Sequence, residues 1–103
     1  MLIEKLVKEI CLKPGLYLGQ KSVIRARAFI DGYRLASLDN VTVGSDSKVL
    51  YRFRDFVFEQ YRPMSSAGWD EVLLQNSAND AEAFDIFCDL WNRFLSVTES
   101  TDL

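Results

Sequence analysis

Residues Lys13–Tyr33 read KPGLYLGQKSVIRARAFIDGY, and two incompatible folds start from that lettering. Gly15 precedes Lys21-Ser22 at the spacing of a phosphate-binding loop, and a helix follows, as anion capture at a helix N-terminus requires. The rest of the stretch refuses that chemistry. Gln20 stands where the second glycine belongs, and Leu16, Tyr17 and Leu18 occupy positions where bare backbone would cradle phosphate. A helical pattern precedes the loop instead of a buried strand, and 103 residues are too few for the parallel sheet that carries it. The stretch therefore reads as a Pro-Gly loop between two helices, and the fold class it implies is all-α.

Helices extend outward from it on both sides. Leu2, Ile3, Leu6, Val7 and Ile10 form one apolar stripe, which predicts a helix over Leu2–Leu12 that Lys13-Pro14-Gly15 stops. Ser22 is an N-cap candidate for a second helix to about Leu38, with Val23, Ala26, Phe29, Ile30, Tyr33 and Ala36 facing inward. Its interior Gly32 costs about 1 kcal/mol relative to Ala, so a close backbone approach is expected there. Ile24, Arg27, Asp31, Arg34 and Leu38 form the opposite stripe, either a contact surface or an ion-paired solvent face. Asp39–Ser47 reads as a loop, followed by a helix over Lys48–Tyr61 with Leu50, Phe53, Val57 and Tyr61 inward; Tyr51 and Phe58 fall on another face. The β-formers in VLYRFRDFVF offer a strand as the competing reading. Arg62-Pro63 ends that element. A short helix within MSSAGWDEVLLQ follows, capped by Gly68 or Ser66, with Trp69, Val72 and Leu73 inward. Asn79-x-x-Glu82 is a capping box that opens the last helix, with Phe84, Phe87, Cys88, Trp91, Phe94 and Leu95 at helical spacing. The expected architecture is a single domain over residues 1–103, a compact bundle of about five helices, with the tail after Leu95, from about residue 97 to the end, frayed.

Composition bounds the function. With 49% hydrophobic and 13% aromatic residues the chain can fill a core. No apolar run approaches a membrane span, and MLIEKLVKEI lacks the apolar region of a signal peptide, so a cytoplasmic protein is expected. Cys11 and Cys88 fit a redox pair or half a metal site, but their apolar settings favour two small buried hydrophobes. Histidine is absent, which removes the commonest general base and metal ligand; no cofactor or metal is expected. An enzyme built on Asp31 and Asp55 ranks last among the functional readings. Residues 1–62 hold 11 basic and 7 acidic residues, whereas residues 63–103 hold only Arg93 against eight acids. The net charge of −3 argues against a nucleic-acid partner, and the split suggests an acidic face offered to a basic one.

The order of motifs resembles small bacterial immunity proteins of polymorphic toxin systems. The likeness rests on Lys13-Pro14-Gly15-Leu16-Tyr17-Leu18-Gly19, Phe29-Ile30-Asp31-Gly32-Tyr33, Ala67-Gly68-Trp69 and Glu82-Ala83-Phe84, and covers nearly the whole chain. It implies a non-catalytic inhibitor that occludes the active site of a cognate toxin domain, with a monomer the expected state. The alternative is an intracellular adaptor or regulatory subunit that binds a protein without neutralising it. Pro14, Gly15, Gly19, Gly32 and Trp69 suit a scaffold role. Partner contact is expected at Asp70, Glu71, Asp85 and Asp89, with Arg27, Asp31 and Arg34 as a second surface.

Overall fold

Six helices follow one another in the computed structural model, which describes residues 2–37, 43–63 and 68–101. They are α1 (Leu2–Leu12), α2 (Pro14–Leu18), α3 (Val23–Ala36), α4 (Val43–Tyr61), α5 (Trp69–Gln75) and α6 (Asp80–Thr101). The molecule is an all-α bundle, and among the described residues there is no strand. The strand alternative for VLYRFRDFVF gives way because Val49, Leu50, Phe53 and Val57 recur at helical period and are all buried.

The sixth helix comes from the segment read as a Pro-Gly loop. Pro14 sits at the start of α2, where its fixed φ suits a first helical turn, and the Leu16 and Tyr17 amides bond back to the Lys13 carbonyl. Gly19 ends the turn at φ 83°, with its amide on the Gly15 carbonyl. That left-handed geometry is what glycine supplies cheaply.

Local signals set several other boundaries. Ser22 caps α3, its hydroxyl accepting from the Arg25 amide at 3.0 Å. Gly68 caps α5, and the Ser66 alternative lies outside the described residues. The capping box holds in part: Asn79 Oδ1 accepts from the Glu82 amide at 2.8 Å, while the Glu82 carboxylate reaches the Ala78 amide at 3.4 Å. Helix α6 runs through the tail to Thr101.

Helix α4 starts at Val43, five residues before the expected Lys48; of the expected loop, residues 39–42 lie outside the described residues. The cause is tertiary. Asp46 is fully buried, accepting from the Ile3 amide at 3.4 Å and the Tyr33 hydroxyl at 2.7 Å, and so ties this turn to α1 and α3. Gly32 corrects another expectation: a Cβ there would meet nothing within 4 Å, so no backbone approaches it. Cys11 and Cys88 are not independent hydrophobes either. Their Cα atoms lie 5.9 Å apart and their sulfurs form a disulfide joining α1 to α6.

Aromatic packing fixes the centre. The Phe53 ring meets Trp69, Phe87, Trp91 and Phe94 edge-on, at centroid distances of 5.5, 5.7, 5.0 and 5.6 Å. Trp69 also stacks on Phe87 at 5.1 Å. Edge-to-face and offset contacts of this kind add about 0.5–1.5 kcal/mol each beyond burial. They hold Trp69 rigidly where α3, α4 and α5 converge.

Candidate functional site

The Trp69 ring is the base on which the candidate site is built. The Arg27 guanidinium lies over it, 5.4 Å from the ring centroid, and its Nη1 donates to Asp70 Oδ1 at 2.8 Å. A Cβ on Gly68 would come within 2.7 Å of both groups, so this glycine makes room for the pair. Arg27 Nε donates to Asp31 one turn along α3, at 3.1 Å. Arg34 follows on the same stripe, 3.9 Å from Asp31.

Helix α4 supplies the facing wall. Ser47, Tyr51 and Arg54 recur at i, i+4 and i+7, matching Arg27, Asp31 and Arg34 on α3. Between the two stripes lies a pocket of about 60 Å³, with Ile30, Leu50 and Trp69 as its apolar lining. Three guanidinium groups and one carboxylate, Asp31, border it. The arginines are unequally occupied. Arg27 has two carboxylate partners. Arg34 makes one long bond, Nη2 to Ser47 Oγ at 3.4 Å, and its Nε is buried without an acceptor among the described residues. Arg54 stacks on Phe58 at 4.8 Å and forms no ion pair among the described residues. A buried N–H without a partner costs about 1–3 kcal/mol. Such a cost is recovered when an acceptor arrives.

The sequence-predicted contact residues divide between faces. Arg27, Asp31 and Arg34 do share one surface. Asp70 belongs with them: its side chain is 18% exposed and turned onto Arg27. Glu71 is exposed on α5. Asp85 pairs with Lys21 at 3.1 Å and Asp89 with Arg93 at 3.6 Å, all four side chains more than half exposed. Sequence reasoning left out Ser47 and Arg54. Tyr51, 60% exposed, carried the signal on its off-core face of α4, and Arg54 lies three residues further along it.

A second hollow, of about 280 Å³, is lined by Lys5, Leu6, Glu9, Tyr17 and Tyr33. Both phenols are held above the ordinary value of 10.0, Tyr17 by its hydrogen bond to Glu9, Tyr33 by burial and then by its bond to Asp46. Asp31 and Asp55 border different pockets. Among the described residues no group of three or more His, Cys, Asp or Glu is placed to hold a metal ion, and no helix is long and apolar enough to cross a membrane. Neither a family model, nor a curated protein, nor a solved structure matches this chain.

Proposed function

We propose that this chain is an immunity protein: a stoichiometric inhibitor that binds a cognate toxin domain in the cytoplasm and covers its active site. The observation that carries the reading is the surface of α3 and α4, where an exposed Tyr51, an uncommitted Arg54 and the under-bonded Arg34 surround a rigid Trp69. Arginine and tyrosine over a packed aromatic are the chemistry of interface hot spots, where a few residues supply most of the binding energy. The motif order of the sequence supplies the toxin-neutralising part of the proposal.

Thioredoxin and glutathione keep thiols reduced in a cytosol, so the Cys11–Cys88 pair would work there as two thiols under an intact bundle. Co-expression with the toxin encoded next to its gene tests the function. Growth should be rescued, and a 1:1 complex should elute on size exclusion. A chain that neither rescues growth nor co-elutes with that toxin is not its immunity protein.

A further inference from the structure

Arg34 has five N–H donors and, among the described residues, a single long bond to use them on. Arg54 on the facing helix is likewise without a carboxylate. Among the described residues the one acid lining the pocket, Asp31, is shared between Arg27 and Arg34 and stays 3.9 Å from the latter. We infer that this pocket is a receptor for one carboxylate side chain, a glutamate or aspartate presented by the protein partner, gripped by Arg34 and Arg54. The inference rests on the protein-binding reading of this face, and adds the chemistry of the group that face takes.

Three observations select a carboxylate. The hollow, about 60 Å³, matches a group of a few atoms. Ile30 and Leu50 offer apolar wall to side-chain methylenes, while planar guanidinium matches planar carboxylate in paired hydrogen bonds. The chain as a whole carries a net charge of −3, which disfavours a polyanion such as nucleic acid at any one basic spot.

Arginine side-chain NMR on the intact chain reads the site without any partner. The probes are N-acetylglutamate α-amide, its neutral glutamine counterpart and inorganic phosphate, each at fixed ionic strength. The Arg34 Nε–H resonance should shift saturably with the glutamate probe and stay in place with the glutamine one. Arg54→Gln breaks no hydrogen bond or ion pair among the described residues, giving up only the stacking on Phe58, and should weaken the response about threefold or more, with the melting temperature lowered by no more than a few degrees. Asp31→Asn should strengthen it, because the competing carboxylate is gone.

An Arg34 signal that ignores the glutamate probe, or follows both amides equally, overturns the receptor. Phosphate saturating at lower concentration than glutamate overturns the carboxylate assignment. Toxin protection without the NMR response would remove this site and leave the immunity reading standing. The response without protection would do the reverse.

Discussion

Tyr33 donates its hydroxyl to a fully buried carboxylate, Asp46, at 2.7 Å, and that one bond couples the fold to alkaline pH. Burial first, and the Asp46 bond second, raise the phenol above its ordinary 10.0. A folded value above the unfolded one means the proton stabilises the fold. The contribution is intact below pH 10 and disappears as pH rises through the folded value. Urea midpoints measured from pH 9 to 12 should therefore fall, and fall less steeply in Tyr33→Phe. Tyr17, raised in the same sense by Glu9, retains part of the slope in that variant. Equal slopes would remove Tyr33 from the account. Gly32, one residue earlier, makes the opposite kind of case. It is helical, exposed and has open space where a Cβ would stand. Gly32→Ala should raise stability by about 0.5–1 kcal/mol, seen as a higher thermal midpoint. A loss of stability would restore the expectation of a close contact at Gly32.

Between elements, Asp80 gathers three hydrogen bonds at the start of α3. It opens α6, yet its Oδ1 accepts from the Val23 amide at 2.7 Å and the Ile24 amide at 3.3 Å, while Oδ2 takes the Ser22 hydroxyl. Two orphan amides of α3 are thereby satisfied by another helix, where the dipole also favours negative charge. Asp80→Ala should cost about 2–3 kcal/mol in chemical denaturation, whereas Asp85→Ala, removing only an exposed pair with Lys21, should stay within about 0.5 kcal/mol. Equal costs would make Asp80 an ordinary surface acid. The contrast shows which parts of the fold were legible in the chain. Ser22, Gly68 and Asn79 act within one turn, and the apolar stripes of α1 and α6 act within one helix, so local spacing encodes them. Asp80 and Asp46 act across 57 and 43 residues, and nothing in local spacing marks their partners. The cysteines were hidden in the same way, each at a helical position that a small hydrophobe fills equally well. At the site, the α3 stripe was visible as Arg27, Asp31 and Arg34, but its facing wall needed the packing of α4.

Across the whole molecule, the disulfide closes a segment of 77 residues, nearly the entire fold. In the chain-entropy account a loop of that span is worth about 4.5 kcal/mol, so reduction should lower the unfolding free energy extrapolated from urea by up to about that amount while leaving helical circular dichroism intact in buffer. Loss of helicity on reduction would rule out function in a reducing cytosol. Folding also rearranges the charge asymmetry of the chain. The acidic C-terminal portion packs against the basic one, with Asp70 on Arg27 and Asp85 on Lys21, while Arg93 answers Asp89 within α6. The acidic face is thus partly compensated from within, whereas the pocket between α3 and α4 keeps an excess of guanidinium over carboxylate. Steering toward a partner follows the uncompensated charge, and affinity follows the desolvated anchor. Arg54→Glu should therefore weaken the complex with the cognate toxin by about 30-fold or more, the scale of a hot-spot residue, and Asp89→Lys by no more than about threefold. Calorimetry on the two variants decides between the faces: a larger loss in Asp89→Lys would move the interface to the acidic side of α6.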